Sequence, residues 1–131
     1  MTLFMLDTDT VSFALRGLGQ VASRLQSHKR SELCLSAITV AELRFGADKR
    51  KSRRIHRVID AFLSGIDVLP FDAAAAAKFG VVGAALATSG LPIGQMDTLI
   101  AAHALSVTAT LVTNNEKHFS KVAGLKIENW T

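Results

Sequence analysis

Short apolar segments alternate along this chain with longer segments of helical periodicity, and this alternation restricts the fold more than any other feature. The short segments predict strands at Leu3–Leu6, Leu33–Leu35, Asp67–Phe71, Thr110–Thr113 and, at an edge, Lys126–Asn129. The longer segments predict helices at Val11–Arg16, from a cap at Ser36 or Thr39 through Ala47, at Arg53–Ser64, at 73–88 and at Met96–Ser106, with one helical turn at Asn115–Phe119. The alternation predicts an α/β fold whose parallel sheet is covered by helices on both faces. In such folds, functional side chains gather beyond the carboxyl ends of the strands.

Size, composition and charge narrow the class of protein. A length of 131 residues predicts one domain, and 49% apolar residues predict a substantial core. Cys34 is the only cysteine, which suits a reducing cytoplasm. The N-terminus lacks the layout of a secretory signal, and charged residues interrupt the most apolar segments, so we expect no membrane span. The net charge of +4 favours a polyanionic partner, either nucleic acid or an acidic protein.

Three acidic residues occupy positions whose neighbours are apolar. Asp7 follows the first strand directly, Glu42 shares a helical stripe with Ile38 and Phe45, and Asp97 opens an apolar helix. Burying an ionised carboxylate without a partner costs roughly several kcal/mol. A divalent cation such as Mg²⁺ or Mn²⁺ would satisfy all three carboxylates.

Each acid also has a structural alternative. Asp7 or Asp9 could cap the following helix, Asp97 could be a favourable charge at a helix N-terminus, and Glu42 could be half exposed. His103, inside the segment LIAAHAL, is expected to be a buried, hydrogen-bonded packing residue rather than a ligand. Only the combination of acids therefore indicates a metal site.

Six of the fifteen basic residues fall within nine positions: Lys49, Arg50, Lys51, Arg53, Arg54 and Arg57. This basic block is either a solvated helix start or loop, or a patch that follows the phosphates of a nucleic acid. Its position relative to the acids decides between the two.

Four segments together resemble the PIN-domain ribonucleases of the VapC toxin type. They are FMLDTD at 4–9, LSAITVAELRFGA at 35–47, PIGQMDTLIAAHAL at 92–105 and LVTNNEKHFSKVAGLKIENW at 111–130. The resemblance implies one PIN domain over residues 1–131, with three layers, α/β/α, and a central, mostly parallel sheet.

The resemblance also implies a site and an activity. Asp7, Glu42 and Asp97 would bind Mg²⁺ or Mn²⁺ for hydrolysis of an RNA phosphodiester, and Thr113 would help to hold the site. Asn115 occupies the fourth acidic position of many PIN domains, and water near it and Thr113 would attack the phosphorus in line.

Further expectations from the resemblance concern RNA and protein partners. Arg16 and the basic block, with Lys49, Arg50, Lys51, Arg53 and Arg54 foremost, would contact the RNA backbone. Asp9, which is more often Asn in the family, would serve local structure. The substrate would be a tRNA such as initiator tRNA, so that cleavage inhibits translation. The protein would form a homodimer and would be neutralised by a VapB-like antitoxin.

Two other classes of function match parts of the sequence. A phosphatase of the haloacid dehalogenase type would use Asp7 and Asp9 as a catalytic pair, but it needs a lysine and a further acidic pair after its hydroxyl motif. Only eighteen residues follow Thr113, and Glu116 and Glu128 are their only acids. A non-catalytic module that binds RNA or protein through the basic block would leave three acids in apolar settings unexplained.

Overall fold

The computed structural model describes residues 2–131 and has an α/β architecture. Its strands are β1 (Phe4–Leu6), β2 (Leu33–Ser36), β3 (Asp67–Leu69), β4 (Thr110–Val112) and β5 (Ile127–Glu128). Its helices are α1 (Thr8–Leu15), α2 (Val21–Gln26), α3 (Ala37–Lys49), α4 (Arg53–Leu63), α5 (Ala73–Thr88), α6 (Gln95–Ser106) and α7 (Glu116–Phe119), and a 3₁₀ turn covers Arg30–Glu32.

The five strands form one sheet in the order β3-β2-β1-β4-β5, and every neighbouring pair is parallel. The chain moves outward from β1 to β3 on one side and then returns to place β4 and β5 on the other. β1 therefore lies at the point where the strand order reverses, where α/β folds leave a crevice at the carboxyl ends. The predicted parallel sheet is confirmed.

Side chains of the central strand alternate between two hydrophobic cores. Met5 packs into the core formed with α5 and α6, whereas Phe4 and Leu6 pack into the core formed with α1, α3 and α4. Because each face of β1 is buried completely, helices must cover both sides of the sheet. The three layers predicted from the sequence are present.

The element boundaries differ from prediction mainly where polar side chains start a helix. α1 begins at Thr8 rather than Val11, because the Asp7 side chain accepts a hydrogen bond from the Thr10 backbone N–H and so starts the helix earlier. Ser36, not Thr39, caps α3, with its hydroxyl accepting from the Ile38 N–H. α2 and the 3₁₀ turn were not predicted, since they are short and their apolar pattern is weak.

The C-terminal end of the chain closes one side of the core that contains Phe4 and Leu6. Trp130 is 2% exposed and its ring is stacked on the His28 ring, with centroids 5.2 Å apart. The indole N–H donates to Glu128, and the Trp130 carbonyl accepts from the Gln20 N–H. Within residues 2–131, no helix combines the length and the apolar character needed to cross a membrane.

Candidate active site

Asp7 occupies the turn between β1 and α1, at the carboxyl end of the central strand. Its side chain is 4% exposed and accepts a 2.8 Å hydrogen bond from the Thr10 N–H. Burial raises the pKa of Asp7, while hydrogen bonds from Thr113 and Thr10 act in the opposite direction. Capping the helix and serving a functional site are therefore compatible for this residue. The cap role considered for Asp9 is wrong, because Asp9 lies inside the first turn of α1.

Thr113 is a buried residue next to Asp7 and does not line the cleft. It is fully buried immediately after β4, and its hydroxyl lies close enough to the Asp7 carboxylate to lower the pKa of that group. The same hydroxyl oxygen accepts a 2.9 Å hydrogen bond from the Asn115 N–H. Because this oxygen accepts from the Asn115 N–H, the single hydroxyl proton is left for the side facing Asp7. Thr113 thus lies against the Asp7 carboxylate and holds the start of the loop that carries Asn115.

Glu42 projects from α3 and is held by a residue that sequence reasoning did not single out. The Thr8 hydroxyl donates to Glu42 Oε1 at 2.5 Å. Glu42 is half-buried, so the structural alternative considered for it is correct as far as exposure goes. The apolar stripe assumed to accompany it is wrong at Phe45, whose side chain is 68% exposed.

Asp97 lies in the first turn of α6 and faces the other acids. Its carboxylate is 3.2 Å from Nδ1 of His118, on α7. Burial raises the pKa of Asp97 to about 6; the nearby His118 opposes the rise, and the charges of Glu42 and Asp7 reinforce it. A mutual effect of this kind requires the carboxylates to lie near one another. The electrostatics therefore indicate that three distant segments of the chain converge.

A small cleft of about 70 Å³ joins these side chains. Its lining comprises Asp7, Thr8, Asp9, Glu42, Asp97, Asn115 and Phe119. The Asn115 amide nitrogen lies 2.9 Å from Nδ1 of His118, the same ring nitrogen that approaches Asp97. Nδ1 accepts from the amide when it is unprotonated and donates to Asp97 when it is protonated. The structure thus brings together four of the five predicted catalytic side chains at the cleft, with the fifth, Thr113, directly behind.

The chemistry of the cleft fits a hard divalent cation. Its donors are carboxylate and amide oxygens, which suit Mg²⁺ or Mn²⁺. Burial first and the neighbouring carboxylates second raise the pKa of Asp97, and a cation would favour its ionised form against both. In the side-chain positions described for residues 2–131, no group of three His, Cys, Asp or Glu residues could hold a metal ion. Thr8 holds Glu42 and His118 holds Asp97 instead. The donor set fits a divalent cation, and Thr8 and His118 position two of its carboxylates.

The basic block is divided by the structure. Arg50 and Arg54 line a groove of about 820 Å³ beside the cleft, and Arg16 lines it from the end of α1. The remaining basic side chains of the block are absent from that lining: Lys49, Lys51, Arg53 and Arg57. The contiguous run in the sequence is therefore not one surface, because helical and turn geometry sends its members in different directions.

The surroundings of His103 decide between a packing role and a ligand role. It is 1% exposed, and its Nδ1 lies 2.7 Å from the Ser36 hydroxyl. Burial lowers the pKa of this imidazole. The prediction of a packing role is confirmed. His118, which contacts Asp97 and Asn115 of the cleft, was missed, although its spacing of three from Asn115 at the start of α7 places both on one side.

The parallel sheet, the strand order and the acidic cleft together define the class of protein. The family model described as PIN domain matches residues 4–125, and the chain belongs to this family. The phosphatase alternative for Asp7 and Asp9 falls away with that result.

Within the family, the chain is similar over its full length to VapC proteins. It is 39% identical over 132 residues to a Shigella flexneri protein named tRNA(fMet)-specific endonuclease VapC, with 100% of both chains covered. A crystal structure of DNA-bound VapBC from Salmonella typhimurium superimposes with a TM-score of 0.93 at 38% identity, covering 100% of both chains. VapBC2 from Rickettsia felis, bound to a promoter DNA fragment, gives 0.92 at 32% identity, covering 99% of this chain and 100% of that one.

Proposed function

We propose that this protein is a VapC-type endoribonuclease that depends on Mg²⁺ or Mn²⁺ and hydrolyses a phosphodiester bond in a tRNA. The observation that carries the proposal is the convergence of Asp7, Glu42, Asp97 and Asn115 on one cleft. These residues come from four separate segments, yet they meet where the strand order of the sheet reverses. Full-length similarity to a tRNA(fMet)-specific endonuclease favours initiator tRNA as the substrate.

The protein's own groups divide the work of the site. Asp7, Glu42 and Asp97 supply the carboxylates that hold the ion and repel one another when it is absent. Thr113 fixes the direction of the Asp7 carboxylate, and Asn115 offers an amide at the cleft wall to orient water or a phosphate oxygen. When bound, the ion supplies activation of water and stabilisation of the charge that develops on the phosphate.

Two protein partners follow from the same assignment. Structures of similar chains are VapBC complexes, so we expect a cognate VapB-like antitoxin to bind and neutralise this protein. We also expect a homodimer. α5 supports this expectation, because Lys78 is the single charged residue among its sixteen and Val81 on its surface is 67% exposed.

The test is cleavage of a total tRNA pool by antitoxin-free protein with Mg²⁺, with Mn²⁺ or with excess EDTA. Asp7→Asn and Asp97→Asn should each abolish cleavage, while Asp9→Asn should leave it within a few fold. Asn also caps helices well, so Asp7→Asn keeps the start of α1 and separates impaired chemistry from impaired structure.

Discrete fragments that need the metal and disappear in both acid variants would support the proposal. A folded wild-type protein that leaves tRNA and other RNAs intact with metal present would refute it. In that case a role in binding RNA or protein without catalysis becomes the better description.

A further inference from the structure

A groove much larger than the acidic cleft adjoins it directly. It has a volume of about 820 Å³ and lies between α1, α3 and α4. Thr8, Asp9 and Glu42 line both the groove and the cleft, so the two spaces are continuous. When the reacting bond of a linear substrate lies in the cleft, the rest of the substrate chain can extend along this groove.

Three arginines from three different elements face this groove. Arg16 follows α1, Arg50 follows α3 and Arg54 lies in the first turn of α4. Among the residues that the structure describes, none of these three forms an ion pair, whereas Arg44 nearby is paired with Asp60. Asp9 and Glu42 line the part of the groove shared with the cleft, and the three arginines, which are exposed and form no ion pairs within residues 2–131, supply the positive charge of the groove that attracts polyanions.

Helix electrostatics strengthen this observation for Arg54. The N-terminal end of a helix carries partial positive charge and favours acidic side chains. The first turn of α4 holds no acidic residue and begins with Arg53 and Arg54. The positive charge of Arg54 and the partial positive charge of the helix end therefore add to each other, which favours binding of an external anion at this end of α4.

Part of the groove lining is aliphatic. Leu15 comes from α1, Leu43 from α3, and Ile55 and Val58 from α4. Guanidinium groups bind phosphates in a bidentate manner, and an aliphatic lining accommodates the sugars and bases between them. This combination of cationic and apolar side chains suits a single nucleic-acid strand, whose bases are free of a duplex partner.

We propose that Arg16, Arg50 and Arg54 bind successive phosphates of one RNA strand and direct it into the acidic cleft. This inference rests on the proposed ribonuclease activity and deepens it. Lys49 and Arg53 neighbour two of these arginines in sequence but do not line the groove, so we expect them to contribute little to binding of these phosphates. RNA binding thus depends on which basic residues line the groove and not on the net charge of the basic block.

The experiment compares neighbouring residues with the same charge. Arg54→Ala is paired with Arg53→Ala, and Arg50→Ala with Lys49→Ala, each in full-length protein with tRNA as substrate. Removing a groove arginine should lower kcat/KM roughly tenfold, mainly through KM, because a charge-assisted hydrogen bond to the RNA is removed. The control of each pair should stay within about twofold, and Arg54→Lys should recover part of the activity because it keeps the charge.

A second measurement reports binding independently of cleavage. In an Asp7→Asn background, RNA affinity is measured against salt concentration. The slope of log K against log salt should become shallower by about 0.7 for each phosphate that the variant no longer neutralises. Arg54→Ala should reduce the slope and Arg53→Ala should not. Thermal unfolding of each variant confirms that the fold is retained.

The outcomes separate this inference from the proposed activity. If tRNA is cleaved but both members of each pair behave alike in cleavage and in binding, the groove assignment is wrong and the nuclease stands. If the groove variants weaken only binding of the cognate VapB antitoxin, with RNA affinity unchanged, the groove belongs to a protein partner and the inference is overturned. If tRNA binds with the predicted pairwise differences but is not cleaved, the activity fails and the groove assignment survives.

Discussion

Asp97→Asn should stabilise the metal-free protein while removing its nuclease activity. The pKa of Asp97 lies at about 6 in the folded protein against an ordinary value of 3.8, which corresponds to about 3 kcal/mol of free energy. The side chain is 33% exposed, so solvent screening reduces this to roughly 1–2 kcal/mol. For a chain of this size we expect the melting temperature to rise by about 3–8 °C at a pH of about 7.5 in EDTA.

The pH dependence of this effect has a defined sign. A folded-state pKa above the unfolded value means that the folded protein binds the proton more tightly, so ionising Asp97 destabilises the fold. The free energy of unfolding of the wild type should fall as pH rises from about 4 to 6. The gap between Asp97→Asn and the wild type should therefore be small near pH 4 and reach its full size above about pH 6.

Differential scanning fluorimetry over that pH range, with and without Mg²⁺, measures the effect. Asp9→Asn is the matched control, since Asp9 lines the same cleft but is exposed, and it should change the melting temperature less. Mg²⁺ should stabilise the wild type more than Asp97→Asn. An unchanged or lower melting temperature for Asp97→Asn in EDTA above the pKa of Asp97 would refute the reasoning, as would a gap that stays constant with pH.

Three further substitutions test how the site and its supports are held. Thr8→Val should lower kcat severalfold, because Glu42 loses its hydroxyl donor, and Thr8→Ser should restore it; equal rates for the two would contradict a positioning role. Ser36→Ala should lower the free energy of unfolding in urea by about 1–3 kcal/mol, because α3 loses its cap and the buried imidazole on α6 loses its partner. Gly19→Ala should destabilise the protein more than Gly17→Ala. Both have positive φ, but only at Gly19 would a Cβ meet the C-terminal backbone, at 3.0 Å.

Local sequence pattern predicted part of the acidic site but not its assembly. Asp7 follows a strand and precedes a helix in the sequence itself, so its position at the carboxyl end of a strand was predictable. The involvement of Glu42 and Asp97 was inferred from apolar neighbours and from family resemblance. Their convergence depends on how α3 and α6 pack against the sheet, which no local pattern specifies. The helical pattern wrongly predicted that Phe45 is buried beside Glu42; its side chain is exposed.

The sequence by itself determined the alternation of strands and helices, the parallel sheet and the positions of Asp7 and Asp97 at element ends, because periodicity and capping act over a few residues. Tertiary structure alone decided the pairing of Thr8 with Glu42 and of His118 with Asp97, which joins residues 34 and 21 positions apart. It also decided which arginines of the basic block face the groove. Such pairings depend on the packing of whole elements against the sheet, and that packing is set by the summed burial of many side chains rather than by any one segment.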